Sequence, residues 1–494
     1  MKQTIPAEIF AAKALAGQVH KELVENILPF WMEKMCTPSG GLLGRISGDG
    51  QPDHSAPVGG IMTARVLWTF ASAYRVLKDD GSCSPETLQG YLDMALRAKR
   101  LILDRFYDKE YGGTFWSLDS DLRPADTKKQ IYAIAFTIYG LAELHRACGD
   151  TEALEYAVEL FRAIEDHSFD SVLDGYFEAF TKSWEPIEDM RLSDKDANES
   201  KTMNTHLHVL EAYTCLYRVW KDPLLENRLR GLILVFEKYI LGTDGHLKLF
   251  FDDSWNCGYD IVSYGHDIEA SWLLHEAALV LGDAGVLARV EALVPKIVKA
   301  ASEGFTPEGG MIYEKTGGRA CEGCYEGPGD TGVEVDADRH WWVQAESVVG
   351  YFNLWEHFGT ADEAGDGGRS ETGDGGESCT GDGDRSEIGD GGESGTGDGD
   401  RSEIRDGGES EAGDGKEQPS GLENAIMCWE FIKENLIDRD GGEWFWSLRA
   451  DGSVNLEDDK AGFWKCPYHN GRMCMEVMER VAQLTDSQPD NMFG

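Results

Sequence analysis

Two short stretches carry side chains that could move protons. SYGHDIEASW (residues 263–272) places His266 and Glu269 three residues apart at the start of an apolar helical pattern. WKCPYHNGR (464–472) places Trp464, Cys466, Tyr468 and His469 together near the end of the chain. A third segment carries Asn204, His208 and Glu211 at i, i+4 and i+7, a spacing that puts all three on one helical face. A fourth opens with Arg339, His340, Trp341 and Trp342 and reaches Glu346, and an early helix carries Arg65 and Trp68. Aromatic rings beside Arg, Asn and Glu suit a sugar: the rings cover C–H faces and the polar groups take hydroxyls. Two or three imidazoles in such a pocket point to general acid–base work, because histidine titrates near working pH.

Taken singly, each residue has an ordinary structural reading as a core or capping group. The case for a site rests on recurrence. DKEYGGTFWSL (108–118), DSVLDGYFEAF (170–180), FTPEGGMIYEK (305–315) and DRDGGEWFWSL (438–448) each pair a Gly turn with an aromatic run at strand period, which predicts a short hairpin. Each is followed by an amphipathic helix, and further helical patterns lie between. About twelve helices in alternating pairs, each burying one face, must close on their neighbours. The expected fold is all-α, an (α/α)6 barrel with short β-hairpins at its mouth. In that fold the polar starts of six inner helices converge on one cavity.

Composition narrows the partners. The chain of 494 residues has a net charge of -43, which argues against nucleic acid and anionic lipid. No apolar run reaches membrane-spanning length, and the N-terminal stretch reads as an amphipathic helix with no secretory h-region. Eleven scattered cysteines fit a reduced, cytoplasmic protein; CEGC (Cys321, Cys324) lacks a second pair and reads as a loop with two free thiols. No P-loop, dinucleotide fingerprint or metal-ligand spacing is found, so neither metal nor nucleotide cofactor is expected.

One segment stands apart. Residues 361–418 are a Gly/Asp/Glu/Ser-rich tract with an eight-residue repeat, as in GDGGRSET, GDGGESCT and GDGDRSEI. Its spacing fits neither an EF-hand nor a calcium β-helix repeat. It is expected to be a disordered tandem expansion hanging from a helix–helix turn of a single catalytic domain spanning 1–494.

The segments MNTHLHVLEAYT, SYGHDIEASWLL, HWWVQAES and KAGFWKCPYHNGR resemble the cellobiose 2-epimerase branch of the N-acylglucosamine 2-epimerase superfamily. The resemblance runs through nearly the whole chain outside the 361–418 tract. It implies the (α/α)6 barrel and cofactor-free interconversion of glucose and mannose at the reducing end of β-1,4-linked disaccharides such as cellobiose and lactose. It implies that His266 and His469 serve opposite faces of C2. It implies that His208 assists in ring opening or proton shuttling, and that Arg65 and Asn204 hold O1 and O2. Glu269 would orient a catalytic imidazole and Glu346 would bind hydroxyls. Trp342, Trp464 and, less directly, Trp341 would stack on sugar rings. The protein is expected to act as a monomer or weak homodimer. Alternatives are another epimerase or isomerase of the superfamily acting on mannobiose, mannose or N-acetylglucosamine, an (α/α)6 glycoside hydrolase or lyase working through Glu269 and Glu346, and a non-catalytic sugar- or protein-binding barrel.

Overall fold

The computed structural model describes residues 6–38, 40–318, 332–359 and 420–486. The octapeptide tract and the CEGC motif lie outside the described residues.

Helices alternate between two layers. The outer layer holds α1 (Pro6–Glu22), continued by α2 (Leu28–Lys34), then α4 (Pro85–Leu101), α6 (Thr151–His167), α8 (Pro223–Val235), α10 (Ala284–Ala301) and α12 (Gly421–Asn435). The inner layer holds α3 (Gly60–Leu77), α5 (Ile131–Cys148), α7 (Met203–Val219), α9 (Tyr264–Leu281), α11 (Trp341–Phe358) and α13 (Tyr468–Asp486). Each inner helix packs on the next, and α13 returns to α3, so the ring closes; α1 backs α13 as α4 backs α3. This is the (α/α)6 barrel expected from the repeats. No helix among the described residues is long and apolar enough to cross a membrane.

The two layers start differently. Outer helices open on side-chain caps: Ser84, Asp150, Asp222, Asp283 and Ser420 each accept from backbone N–H groups of the first turn. Four inner helices, α3, α5, α9 and α11, open without a side-chain cap, from short extended segments. The first N–H groups of α3, α5 and α11 donate instead to the hairpin carbonyls of Trp116, Glu178 and Trp446, and the positive ends of the helix dipoles lie at the hairpin end, which favours developing negative charge there.

The inner helices also depart from the amphipathic reading. They are buried on nearly every face, because one side meets the outer layer and the others meet neighbouring inner helices. Their polar residues must consequently be paired inside the protein.

Hairpins knit the mouth. Each of the first five inner helices is preceded by a two- or three-residue strand that pairs with the next unit: 58–59 with 117–118, 129–130 with 179–180, 201–202 with 250–251, 261–263 with 314–316 and 339–340 with 447–448. An Ile46–Ala461 bridge joins the segment ahead of α13 to the first hairpin. Buried lysines fasten the turns: Lys129 to Asp108 at 2.8 Å, Lys201 to Asp170 at 2.7 Å, and Lys460 to Asp438. Tryptophans do the same from one hairpin to the previous one, Trp184 Nε1 donating to the Tyr111 carbonyl (2.8 Å) and Trp255 Nε1 to the Leu173 carbonyl (2.9 Å).

That closeness explains Gly175. Its φ is +84°, and a Cβ there would overlap the Trp255 ring and His206 Nε2. Gly175→Ala is expected to lower unfolding free energy by roughly 1–3 kcal/mol in urea melts, from overpacking plus a left-handed backbone.

Candidate active site

The site is built on Arg472. This guanidinium, wholly buried on the second turn of α13, donates from Nη1 to Glu211 and from Nη2 to Glu269 (2.7 Å) and Glu346 (2.6 Å). The three carboxylates come from α7, α9 and α11, and Tyr468 of α13 donates its hydroxyl to Glu211. Inner helices on three sides thus present one acid each to a single fixed cation.

Two of these carboxylates hold histidines. Glu211 lies 2.9 Å from His208 Nδ1, one turn away on the same helix. Glu346 lies 2.7 Å from His469 Nδ1, across 123 residues of chain, and also accepts from Trp272 Nε1 (3.1 Å). A carboxylate at Nδ1 fixes the tautomer with Nδ1–H donating, which leaves the lone pair on Nε2. His266 differs: its Nδ1 meets the Ser263 hydroxyl at 2.7 Å. The Trp342 ring lies against both His266 (4.8 Å) and His469 (5.6 Å), so one indole walls both imidazoles.

Burial deprotonates all three rings. It pushes His266 down to about 3, with the neighbouring His208 adding to the effect against Glu346. His469 falls well below the usual imidazole range through burial and then the charges of Arg65 and Arg472. His208 falls for the same reasons, although its bond to Glu211 pulls the other way. Each ring is neutral and a proton acceptor at neutral pH. The carboxylates split: burial would raise Glu211, but Arg472 and His208 outweigh it and hold it at about 2, whereas burial and Glu346 push Glu269 up to about 8.

Arg65 sits over this cluster. Nη2 donates to the Tyr132 hydroxyl at 2.7 Å, and the guanidinium stacks 4.1 Å from the Phe136 ring centroid and 4.9 Å from Tyr468. Its Nε, and Oδ1 of Asn204, are buried without a hydrogen-bond partner in the protein. A cavity of about 330 Å³ opens above, lined by Asn204, His266, Tyr313, Glu314, His340 and Asp196 among others.

Glu269 accepts from Arg472 and lies 4.0 Å from His469 Nδ1, while the hydrogen bond of His266 goes to Ser263. The reason is depth. His266 stands in the first turn and reaches back to Ser263, while Glu269, nearly one turn deeper, points at the guanidinium. Glu346, expected to bind hydroxyls, is buried, and its oxygens are engaged by His469, Arg472 and Trp272. Trp341 is 3% exposed, packed on Trp446 at 4.5 Å, and belongs to the wall behind the site. Trp464 is partly exposed and packs on Trp116, while its carbonyl meets Arg65 Nη1 at 3.4 Å.

The reading of the sequence passed over Arg472 as a functional residue. Its signal was its position three residues after His469 on the same helix. It also missed Tyr132, whose partner Arg65 lies on another helix, and Ser263, which itself precedes the helix that carries its partner His266. Glu269, Glu346 and His469 offer metal-type ligand atoms within 4.8 Å of one another, but Arg472 already holds both carboxylates with its own positive charge.

Glu178 lines the cavity and is buried with no cation beside it, accepting from Thr202 N (2.9 Å) and Thr205 Oγ1 (2.6 Å) at the start of α7. Burial pushes it up to about 8, against about 4.3 in an unfolded chain. The fold binds a proton there that the unfolded chain releases, so stability falls as pH rises from about 4 to 8. Glu178→Gln is expected to raise the melting temperature at pH 8 and leave it nearly unchanged at pH 4.

Comparison with known proteins agrees with this architecture. The profile of the N-acylglucosamine 2-epimerase (GlcNAc 2-epimerase) family matches residues 41–364. The chain is 51% identical to a cellobiose 2-epimerase of Bacteroides fragilis, over 94% of this chain and 98% of the relative. A cellobiose 2-epimerase of Ruminococcus albus is 34% identical, over 95% of this chain and 100% of the relative. Among solved structures, the cellobiose 2-epimerase of Bacillus thermoamylovorans B4167 superposes with a TM-score of 0.74 at 33% identity, covering 95% of this chain and all of that one.

Proposed function

The chain belongs to the N-acylglucosamine 2-epimerase family and is a carbohydrate epimerase, and from that premise we propose that it inverts C2 of the reducing-end sugar of β-1,4-linked disaccharides such as cellobiose. Lactose falls in the same substrate class. The observation that carries this is the clustering of three neutral imidazoles from separate barrel repeats, with His266 on the cavity wall, His469 sharing the Trp342 ring with it, and His208 and His469 each held by a carboxylate.

The mechanism follows from carbonyl chemistry. A C2 proton is acidic only beside a carbonyl, so the pyranose ring opens first, with His208 handling the proton at O1. One of His266 and His469 then takes the C2 proton, and the planar enediolate forms. Arg65 faces the growing negative charge, as do the positive ends of the inner-helix dipoles. The other histidine picks up a solvent proton while the enediolate persists and returns it to the far face, and the first histidine releases the proton it took to solvent. The proton removed and the proton returned differ, so solvent hydrogen enters C2. Asn204 Oδ1 and Arg65 Nε, buried without protein partners, are suited to sugar hydroxyls and oxygens. Trp342 packs a ring face of the sugar beside the two bases, and Trp464 serves as a second stacking surface.

This chemistry uses no cofactor. Hydrolysis would need a free acid and a free base flanking a glycosidic bond, and Glu269 and Glu346 are both tied to Arg472. A cytoplasmic setting fits the unbridged cysteines of the described residues, of which Cys215, Cys257, Cys428, Cys466 and Cys474 are buried. The test is incubation with cellobiose in D2O, followed by NMR. Appearance of 4-O-β-glucosylmannose carrying deuterium at C2 supports the reading. Release of monosaccharides without C2 exchange would overturn it.

A further inference from the structure

We propose that Arg472 is a positioning residue that sets the proton affinities of His208 and His469 jointly, through the carboxylate on which each histidine leans. The inference deepens the proton-transfer reading above and rests on it for its meaning in catalysis; its test does not require turnover.

The geometry is a fork. Nη1 binds Glu211, whose other oxygen meets His208 Nδ1 at 2.9 Å; Nη2 binds the same Glu346 oxygen that accepts from His469 Nδ1 at 2.7 Å. Glu346 Oε1 is therefore shared between the guanidinium and an imidazole. When His469 gains a proton its bond to that oxygen strengthens, and Arg472 shifts its interaction toward Glu211 and Glu269. A firmer hold on Glu211 draws negative charge away from His208. Charging one base then lowers the proton affinity of the other, which suits two groups used one after the other.

Other charged and titratable groups surround the cluster, with Tyr139 of α5 near Glu211 and Arg472. Arg65 of α3 and Tyr132 of α5 face His208; Glu269 of α9, Tyr468 of α13 and Cys466 lie around the cluster. Arg65, His208 and Glu211 also act on His469 through space. His266 serves as an internal reference: its Nδ1 meets Ser263, and its environment is governed by burial, His208 and Glu346, without Arg472 or Glu211.

The experiment is a pH titration by NMR of the substrate-free protein labelled at histidine Cε1, with signals assigned through single His→Gln variants. Four proteins are compared: native, Arg472→Met, Glu211→Gln and the double variant. Arg472→Met is expected to raise proton affinity at His208 and His469 by about tenfold or more, with His266 moving far less. Glu211→Gln, which touches no atom of His469, is expected to shift His469 with Arg472 present and much less without it. Movement of only one of the two rings in Arg472→Met would overturn the proposal. So would an equal effect of Glu211→Gln on His469 in both backgrounds, because the coupling would then run directly through space. If Arg472→Met does not fold, Arg472→Lys takes its place: it keeps a charge but loses the two-armed fork, and the crossed effect should weaken in the same way. Inertness toward disaccharides would overturn the proposed substrate and leave this titration result standing.

Discussion

His266→Ala and His469→Ala are each expected to lower kcat for epimerisation by roughly 10²–10⁴-fold, the usual contribution of a positioned acid–base group. KM should change only a few-fold, since neither ring is the main sugar platform. The sharper expectation is a mirror image in D2O. A variant that keeps one base can still exchange C2 hydrogen in the epimer whose C–H faces that base, without inverting it. One variant should then wash deuterium into the gluco substrate and the other into the manno product. If both variants lose exchange from both epimers, the histidines do not serve separate faces. If either keeps epimerisation near the native rate, the two-base mechanism is wrong. Both rings are deprotonated by burial, so loss of activity with falling pH should follow protonation of the site well below the ordinary imidazole range.

The largest stability effect is expected away from the catalytic cluster, at Glu443. This carboxylate is wholly buried and accepts from Lys465 Nζ (2.6 Å), Asn470 Nδ2 (2.9 Å) and Trp31 Nε1 (3.1 Å). Lys465 is equally buried, and burial lowers its proton affinity despite the partner. Glu443→Ala would strand that ammonium together with an amide and an indole N–H. Breaking one side of a buried ion pair typically destabilises by about 3–5 kcal/mol, and a shift of that size in urea unfolding is the expected outcome. The same change should reduce activity, because Lys465 and Asn470 flank Cys466, Tyr468 and His469 in sequence. A loss under about 1 kcal/mol would mean that water or rearrangement satisfies Lys465.

How much of this could be read in the chain depends on distance along it. The barrel was legible because hairpin and helix recur, and repeats that bury a face must close on one another. His208 with Glu211 was legible because three residues of helix bring two side chains together. Partners on other helices were not. Glu346 and His469 are separated by 123 residues, Glu269 and Arg472 by 203, and nothing local states which carboxylate will serve which ring. Nor does the motif state which imidazole Glu269 approaches: it lies 4.0 Å from His469 Nδ1, while His266 bonds to the serine before its helix. Trp341 and Trp342 are adjacent and chemically alike, and the helical turn sends one into the core and the other to the site.

The direction of α11 decides at which end of the barrel the described chain breaks off and returns. The helix starts beside the site at Trp341 and runs 18 residues, about 27 Å, to Phe358 at the opposite end of the barrel. The chain departs there after Gly359 and resumes at Ser420, where Gly421 packs directly against the Tyr351 and Trp355 backbone of α11. The described chain thus stops and resumes at the Phe358 end of α11, a full helix length from the Trp341 end that bears on the site.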